Sequence, residues 1–441
     1  MKPEPHAPTR RGFLKSAGTV GAGLTILPSG LLSGAGSANN KLNVAVIGVG
    51  GRGAANLHGV RGENIVALCD VDAKNLAKAA AQFPKAKTYA DWRKCLEQKD
   101  IDAVVCSTTD HTHAFVNVWA MNRGKHVYCE KPLANSVHEA RVVRETYLRN
   151  KGKIATQMGT QIHAADNYRR VVELIRDGVI GDVKSADVWV DRPRKTEAYY
   201  PTVSPIPAHI DWDLWLGPSA HHGFNPGYPG SCLKWNRFWD FGTGQLGDMG
   251  SHLMDLPYWA LNLRFPTHCE AQGKPLHPDS YPEQIKVTWD HPANDQRPAV
   301  RVRWFDGGPK PGMPLKVFNR DALGKGILFT GEKGWLLADY GFRVVVLKSD
   351  MTGYDVPTSE DLIPRSPGHH QEWIQACKTG TPTTCNFDYS GALVEHNLLG
   401  AVAFRTGKRL EWDASKLQAT NCPEAEQYVK KTYREGWVLN G

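Results

Sequence analysis

Short apolar runs and longer helix-like segments alternate in the part of the chain that follows residue 40. The apolar runs, which are rich in β-branched residues, cover residues 42–47, 65–69, 103–106 and 126–129. The helix-like segments between them cover residues 54–60, 73–83 and 114–123. This alternation indicates βαβ units and therefore a parallel sheet. A helix over residues 137–150 and a strand over residues 153–157 are expected to lead out of this unit.

The pattern changes beyond residue 164. A helix is expected over residues 168–177, a strand over 183–190 and a further helix over 250–261. Strand candidates then follow one another at residues 285–289, 299–305, 326–330, 334–338 and 344–348. Grouped strands of this kind predict a C-terminal α+β domain with an open, largely antiparallel sheet. We expect domains over residues 41–160 and 161–441, with a long, functional loop rich in Pro, Trp, His and Gly over residues 192–244.

Composition narrows the class of protein. A chain of 441 residues is expected to form two domains, and its mean hydropathy of −0.42 with 22% charged residues is typical of a globular protein. Stable membrane insertion is not expected after the N-terminal region. The net charge is +8 but contains no block of like charges, so nucleic acid is not an expected partner. Nine cysteines without CxxC spacing argue against a zinc site, and no metal is expected.

The N-terminus resembles a twin-arginine export signal. The pair Arg10-Arg11 is followed by Phe13 and then by an uncharged stretch of small and apolar residues from 16 to 32. Small residues up to Ala38 provide a cleavage point, so residues 1–38 are expected to be a signal peptide. The expected location is periplasmic or extracytoplasmic. The alternative is a basic tail without a targeting role.

A glycine-rich turn lies between the first expected strand and the first expected helix. Gly48, Gly50, Gly51, Arg52 and Gly53 belong to a GxGxxG motif, which is typical of dinucleotide binding. The glycines allow a tight turn and close approach of the backbone to a pyrophosphate, which the helix N-terminus then attracts. Asp70 ends the second strand, where it can accept hydrogen bonds from the adenosine ribose. Because this carboxylate would repel a 2′-phosphate, NAD is favoured over NADP.

Three further motifs complete a pattern. They are Thr109-Asp110-His111-Thr112-His113, Glu130-Lys131-Pro132 and Gly247-Asp248-Met249-Gly250-Ser251-His252. With the glycine turn they make the sequence resemble the glucose-fructose oxidoreductase, inositol dehydrogenase and rhizopine-catabolism (Gfo/Idh/MocA) family from residue 42 to the C-terminus. The resemblance implies a Rossmann domain, an open-sheet domain that often forms an oligomer interface, and a substrate pocket at the nicotinamide. A homo-oligomer is therefore expected.

The same resemblance suggests the catalytic residues. Lys131 matches the family's catalytic lysine, and Asp248 and His252 match its acid-base pair. Four residues apart on a helix, Asp248 and His252 share a face, so the aspartate is expected to orient the imidazole and hold its tautomer. His252 is then suited to remove a hydroxyl proton during hydride transfer, and Lys131 to hydrogen-bond the same oxygen.

Other positions are assigned less directly. Thr108, Thr109, His111, Glu130, Lys131 and Gln157 are expected to border the cofactor with the glycine turn. The expected substrate contacts are Gln161, Tyr200, His209, Trp235 and Arg237, although the last four fit packing within the long loop equally well. His113 is expected to pack at a helix start. His369, His370 and Glu372 fit a helix start better than a metal site.

The expected function is that of an NAD-dependent oxidoreductase that transfers a hydride to or from a sugar, sugar derivative or cyclitol. Because free NAD is scarce outside the cytoplasm, an exported enzyme is expected to hold its cofactor tightly. Two redox-neutral alternatives fit such retention: hydride exchange between two sugars, and NAD-dependent glycoside hydrolysis outside the two-carboxylate scheme. A non-catalytic sugar- or nucleotide-binding protein is the alternative from a different class.

Overall fold

A computed structural model describes residues 41–308, 310–311, 318, 323–354 and 363–439. The expected signal peptide over residues 1–38 lies outside this part of the chain. The residues from Lys41 onward belong to one compact unit that contains two sheets.

The first sheet is built from six parallel strands in the order β3-β2-β1-β4-β5-β6. They are β1 (Asn43–Ile47), β2 (Asn64–Cys69), β3 (Lys87–Tyr89), β4 (Ala103–Cys106), β5 (His126–Cys129) and β6 (Thr156–Met158). In β1 and β4 the residues Val44–Ile47 and Ala103–Cys106 are at most 1% exposed, because helices cover both faces of the sheet. This is the strand order of a Rossmann fold, as the sequence predicted.

Helices connect the strands of this sheet. They are α1 (Arg52–Val60), α2 (Ala73–Gln82), α3 (Trp92–Cys95), α4 (Asp110–Asn122) and α5 (Val137–Arg149). The side chains of Asp72, Asp91 and Ser136 cap the N-termini of α2, α3 and α5, each accepting a hydrogen bond from a first-turn amide. No side chain caps α1, so its first turn remains available to an anion.

The second sheet has ten strands in the order β14-β13-β12-β11-β7-β10-β9-β8-β15-β16. They are β7 (Val183–Val190), β8 (His268–Gly273), β9 (Ile285–His291), β10 (Val300–Asp306), β11 (Lys325–Gly331), β12 (Gly334–Ala338), β13 (Arg343–Leu347), β14 (Asp350–Tyr354), β15 (Leu410–Asp413) and β16 (Gln418–Ala419). β7 and β10 pair in parallel, and the other pairs are antiparallel. The expected mixed, largely antiparallel sheet is confirmed.

The remaining helices surround this sheet and the segment before it. They are α6 (Asp166–Arg176), α7 (Trp212–Leu216), α8 (Cys232–Trp235), α9 (Gly244–Asp248), α10 (Gly250–Leu253), α11 (Asp255–Ala260), α12 (His369–Thr379), α13 (Phe387–Thr406) and α14 (Glu426–Val429), with 3-10 turns at Gln161–Ala164 and Pro423–Ala425. The helix expected over residues 250–261 is therefore split in two. None of the described helices is long and apolar enough to cross a bilayer.

Residues 192–244, the aromatic insert, pack around a small core of their own. The buried members of that core are Trp212, Trp215, Leu216, Phe224, Tyr228, Trp235, Phe238 and Phe241. Trp212 and Trp215 stack with ring centroids 4.6 Å apart, and Trp215 meets Phe241 edge to face at 5.0 Å. The expected loop is thus an ordered subdomain whose aromatic side chains replace regular secondary structure.

Candidate cofactor site and active site

A cleft of about 360 Å³ opens at the carboxyl ends of β1 and β4. Between these two strands the strand order reverses, and ligands of open α/β sheets bind at such switch points. Its lining combines the glycine turn, the ends of β2 and β4, and the aromatic insert. The predicted residues that line it are Gly48, Gly50, Gly51, Arg52, Asp70, Thr108, Thr109 and Trp235.

The glycine turn satisfies the steric demands of a pyrophosphate cradle. A Cβ at Gly53 would lie 1.9 Å from the Gly48 carbonyl oxygen, so only glycine lets α1 approach β1 this closely. Gly48 has a φ of 81°, and a Cβ there would lie 2.5 Å from the Ser107 oxygen. A Cβ at Gly51, by contrast, would meet nothing within 4 Å, because this residue borders the open cleft. The residues present therefore fit a dinucleotide.

Asp70 braces the same turn. Its Oδ2 accepts hydrogen bonds from the amides of Val49 at 2.9 Å and Gly50 at 3.2 Å, and its Oδ1 accepts one from Asp72 at 2.9 Å. Burial raises the pKa of Asp70, against the opposing effect of these amides. Oδ1 accepts one hydrogen bond and has a second lone pair, so it can still accept one from a ribose hydroxyl.

The aromatic insert covers the other side of the cleft. Leu214, Trp215, Cys232 and Trp235 line it opposite the glycine turn. Backbone hydrogen bonds join the insert to the segment after Asp70: the amide of Ala73 donates to the His209 carbonyl at 2.8 Å, and that of Asp211 to the Val71 carbonyl at 2.9 Å. His209 therefore acts through its backbone in this structure.

The C-terminal segment ties the insert to the first sheet's helices. The buried Lys431 ammonium donates to the Asn135 side chain and, at 2.8 Å, to the Trp239 carbonyl. Arg434 donates from Nε to the Gly217 carbonyl at 2.9 Å. Burial lowers the pKa of Lys431, which nevertheless has three oxygen acceptors around its ammonium.

Lys131 follows β5, and a cis peptide bond joins it to Pro132. Its ammonium is paired with Oδ1 of Asp248, and Arg194 is paired with Oδ2 of the same carboxylate. Burial alone would lower the pKa of Lys131, but the Asp248 carboxylate raises it. The two cations in turn hold the pKa of Asp248 below its usual range despite burial. Lys131 is therefore a protonated hydrogen-bond donor. Lys131, Asp248 and His252 are not among the residues that line the cleft described above.

His252 lies in α10, four residues after Asp248, and is 7% exposed. Burial, reinforced by the Lys131 charge, lowers the pKa of His252 to about 3, so its ring is neutral near pH 7. Its Nδ1 lies 3.1 Å from Oγ1 of Thr160, whereas both Asp248 oxygens are engaged by cations. The prediction that Asp248 orients the imidazole is therefore wrong.

A second buried carboxylate continues the polar network. Oδ2 of Asp110 accepts hydrogen bonds from Asn236 at 3.1 Å and from Thr243 at 2.8 Å. Arg194 donates to the other side of the Asn236 amide, so one chain of contacts runs from Lys131 to Asp110. Burial raises the pKa of Asp110 to about 6, against the opposing charge of His113.

The two histidines of the motif in α4 are structural. His111 is 2% exposed, and its ring nitrogens lie 3.1 Å from the Phe241 carbonyl and 3.0 Å from the Trp215 carbonyl, so it anchors the insert instead of lining the cleft. His113 lies between the carbonyls of Pro132 at 2.6 Å and Thr108 at 3.0 Å. His113 thus packs near the start of α4, as expected, and its two contacts join the turn that follows Lys131 to the lining of the cofactor cleft.

Other predicted contacts lie outside the cleft lining. Oε1 of Glu130 accepts from Arg52 at 2.9 Å, just behind the lining residue. Gln157 is buried and donates to the His369 carbonyl at 2.6 Å. Tyr200 donates to Glu197 at 3.2 Å, and Arg237 pairs with the same carboxylate at 2.6 Å. Gln161 begins the 3-10 turn after β6, half-buried. Gln157, predicted to border the cofactor, and Tyr200 and Arg237, predicted to contact substrate, are engaged by these partners and do not line the cleft.

No sequence pattern predicted that Arg194, Asn236 or Thr160 belongs to the site. Each becomes part of the site only through contacts with distant segments, since Arg194 is separated from Asp248 by 54 positions and Thr160 from His252 by 92. The expected helix start at His369 is confirmed, because α12 begins there. Two buried groups have potential metal-ligand atoms close together, Cys106-His113-Cys129 and His163-Asp255-Cys385. In the first, both ring nitrogens of His113 face backbone carbonyls. In the second, His163 contacts Asp255 of the same group through Nδ1 and Thr384 through Nε2.

Relatives and solved structures share this architecture. The chain is 32% identical over 145 residues to inositol 2-dehydrogenase of Salmonella typhimurium strain LT2, covering 32% of this chain and 43% of that protein. It is 30% identical over 211 residues to glycosyl hydrolase family 109 protein 1 of Shewanella sp. strain ANA-3, covering 40% of this chain and 45% of that protein. The chain thus spans less than half the length of these relatives.

A crystal structure of levoglucosan dehydrogenase in complex with NADH and levoglucosan superimposes with a TM-score of 0.57. It covers 84% of this chain and 99% of that one at 18% identity, a level that shows the fold alone. Residues 42–158 match the family model described as "Oxidoreductase family, NAD-binding Rossmann fold", and residues 189–294 match its C-terminal α/β domain. With an NAD-binding Rossmann domain followed by this second domain, the chain belongs to the Gfo/Idh/MocA oxidoreductase family.

Proposed function

We propose that the protein is an NAD-dependent oxidoreductase that moves a hydride to or from a carbinol carbon of a sugar, sugar derivative or cyclitol. The observation that carries this proposal is that a fold whose glycine turn fits a dinucleotide also contains a Lys131 ammonium paired with Asp248 and a buried His252 four residues after that aspartate. Lys131 donates a hydrogen bond, and the neutral imidazole of His252 accepts a proton. Oxidation of an alcohol needs both at the same oxygen.

The chain's own residues divide this work. His252 removes the hydroxyl proton, and the Lys131 ammonium stabilises the negative charge that develops on the oxygen. Asp248 keeps Lys131 protonated, while Arg194 holds the far oxygen of that carboxylate in place. NAD, when bound, supplies the hydride acceptor.

A polyhydroxylated substrate fits the composition of this site and the nature of the relatives. The charged and amide side chains of Arg52, Asp70 and Asn75 line the cleft together with the aromatic ring of Trp235, and such a mixture suits hydroxyl groups and the apolar faces of a ring. The inositol 2-dehydrogenase of Salmonella supports a cyclitol or a sugar as the first class to test.

The aromatic insert supports a tightly held cofactor. It lines the cleft and is joined by hydrogen bonds to the Asp70 strand end, to His111 and to the C-terminal segment. Release of a dinucleotide would require these contacts to open. In Trp235→Ala we expect faster exchange of NAD. Leu233→Ala is the matched control, because Leu233 is 60% exposed and lies outside the lining.

Redox-neutral glycoside hydrolysis is the second candidate, and the Shewanella relative supports it. In that reaction a ring carbon is oxidised transiently, which acidifies the neighbouring C–H and allows the aglycone to leave. After water adds, the ring carbon is reduced again, so no cofactor is consumed. Lys131 and His252 serve the oxidation in either scheme. Hydride exchange between two sugars is the third candidate reaction. The alternative to an enzyme is a non-catalytic protein that binds a sugar or a nucleotide.

One experiment separates these functions. The protein is purified without added cofactor and denatured, and any released dinucleotide is identified by mass spectrometry. The native protein is then assayed with inositols, sugars and nitrophenyl glycosides. Retained NAD with glycoside cleavage indicates hydrolysis, and retained NAD with sugar-dependent reduction of a second sugar indicates hydride exchange. Reduction of added NAD by a polyol indicates an ordinary dehydrogenase. A protein that binds NAD but acts on no substrate in the panel contradicts the enzymatic proposal.

Export and self-association complete the proposal. A twin-arginine signal over residues 1–38 would carry a folded, cofactor-loaded protein to an extracytoplasmic location, and N-terminal sequencing of exported protein tests cleavage after Ala38. The proposal of a homo-oligomer rests on the open sheet, which carries the ion pairs Arg301–Asp290 and Arg303–Asp187. Light scattering measures the oligomer's mass.

A further inference from the structure

Thr160 lies just after β6, close to two polar atoms that both belong to α10. Its Oγ1 is 2.8 Å from the carbonyl oxygen of Ser251 and 3.1 Å from Nδ1 of His252. All three residues are at most 7% exposed, so water has little access to these groups. The three polar atoms must satisfy one another.

The number of hydrogens decides which atom donates. A threonine hydroxyl has one hydrogen, and a carbonyl oxygen can only accept. The contact with Ser251 is a hydrogen bond only if Thr160 donates its single hydrogen there. The contact with His252 is then a hydrogen bond only if Nδ1 carries the hydrogen of the neutral imidazole. Its other nitrogen, Nε2, is left with a lone pair.

We propose that Thr160 is a positioning residue, which selects the Nδ1–H tautomer of His252 and so leaves Nε2 as the proton acceptor. This inference rests on the proposed role of His252 as the base. It assigns to Thr160 the task that the sequence pattern suggested for Asp248.

The neighbouring contacts fix this arrangement. The amide of Thr160 donates to the Met158 carbonyl at 2.8 Å, and its carbonyl accepts from the His163 amide at 3.0 Å. On the other side, the Ser251 hydroxyl donates to the Gly247 carbonyl at 2.6 Å, and Tyr168 donates to the His252 carbonyl at 2.9 Å. These hydrogen bonds hold the backbone of both segments, so Thr160 and α10 face each other in a fixed arrangement.

The test compares Thr160→Val, which keeps the shape and removes the hydroxyl, with Thr160→Ser, which keeps the hydroxyl. The first readout is the 15N chemical shift of each His252 ring nitrogen in histidine-labelled protein, with His252→Gln used to assign the signals. Protonated and unprotonated imidazole nitrogens resonate far apart. We expect Nδ1 to be protonated in the native protein and in Thr160→Ser. In Thr160→Val we expect Nε2–H to be populated.

The second readout is kcat for the substrate found with the panel above. Because a general base contributes about 10²–10⁴ in rate, we expect a fall of about tenfold or more in Thr160→Val, with rescue in Thr160→Ser and little change in KM. A native His252 protonated at Nε2 overturns the inference without any variant. An unchanged tautomer in Thr160→Val also overturns it. A changed tautomer with unchanged kcat supports the role of Thr160 in selecting the tautomer and instead overturns the role of His252 as base.

Discussion

Lys131 and Arg194 bind opposite oxygens of one buried carboxylate, that of Asp248. Lys131 comes from the end of the first sheet, whereas Arg194 comes from the aromatic insert. The carboxylate therefore joins the Rossmann domain to the insert at the position where the proposed chemistry occurs. Asp248 forms ion pairs with the two cations, whereas its effect on the histidine four residues away is that of its charge, which raises the pKa of His252 against the effect of burial.

Removal of Arg194 is expected to impair catalysis by freeing Asp248. In Arg194→Ala the carboxylate loses one of its two partners and Asn236 loses a donor, so Lys131 is held less firmly. We expect a fall of about tenfold or more in kcat/KM, equivalent to about 1.4 kcal/mol of transition-state stabilisation. Arg192→Ala is the matched control, since Arg192 is exposed in the same segment. Equal losses in the two variants would contradict this role for Arg194.

The pH dependence of kcat/KM reports the state of His252. A base with a pKa of about 3 stays unprotonated at every pH above that value, so His252 produces no loss of activity between pH 7 and pH 5. An acid limb near pH 6 would instead arise from Asp110, whose pKa is about 6. Asp110→Asn removes that contribution. A limb near pH 6.5 that persists in Asp110→Asn would show that His252 titrates as an exposed histidine does.

Asp248→Asn is expected to shift the basic limb of the pH profile of kcat/KM to lower pH. The Asp248 carboxylate raises the pKa of Lys131 against the effect of burial, so its removal lets that pKa fall. Activity that requires the protonated lysine is then lost at a lower pH than in the native protein. Asp213→Asn, which removes an exposed partner of Arg434, serves as the control. The prediction is wrong if the basic limb stays in place in Asp248→Asn.

Protonation of His113 is expected to make the free energy of unfolding depend on pH. Both of its ring nitrogens face carbonyl oxygens, so both bonds form only when the ring is protonated, and nearby Cys106 and Asp110 raise its pKa although burial would lower it. A raised folded-state pKa gives stability that is complete below the unfolded pKa and is lost as pH rises through the folded value. His113→Asn should therefore lower the free energy of unfolding more at pH 6 than at pH 9. Urea titrations at both pH values measure this, and an equal effect at both would refute it.

The glycine turn offers a steric test of cofactor binding. In Gly53→Ala the added Cβ would lie 1.9 Å from the Gly48 carbonyl oxygen, so α1 must move away from β1. We expect loss of NAD binding and a destabilisation of roughly 1–3 kcal/mol, as is usual for overpacking. Gly62→Ala, whose Cβ would meet nothing within 4 Å, should leave both unchanged. Thermal unfolding and calorimetric titration with NAD distinguish the two variants.

Local patterns revealed most of the Rossmann elements, because β1, β2, β4 and β5 are short apolar runs and α1 and α2 have exposed faces. They did not reveal the polar β3 or the four-residue α3. They also did not reveal α13, which is the longest helix among the residues described. Both its neighbours, α5 and the second sheet, bury it, so nearly every side chain from Phe387 to Phe404 is covered and no amphipathic stripe remains. Gly400 marks the close approach, since a Cβ there would lie 2.9 Å from Trp289.

Sequence patterns likewise located only some of the residues of the candidate site. The glycine turn, Asp70 and Lys131 are fixed by positions at the ends of neighbouring parallel strands, which a sequence pattern can locate. Thr160, Arg194 and Asn236 join through contacts between distant segments. The separation of four residues between Asp248 and His252 was misleading, because two cations from other segments occupy the carboxylate.

The contacts of Lys431 and Arg434 bear on how the protein is made. A ribosome releases the chain from its N-terminus, so the first sheet and the glycine turn emerge more than 250 residues before Lys431 can reach Asn135 and Trp239. Until then the insert lacks the hydrogen bonds that Lys431 and Arg434 donate to it. The wall of the nucleotide cleft that the insert supplies therefore reaches its final packing only after the C-terminal segment has been made.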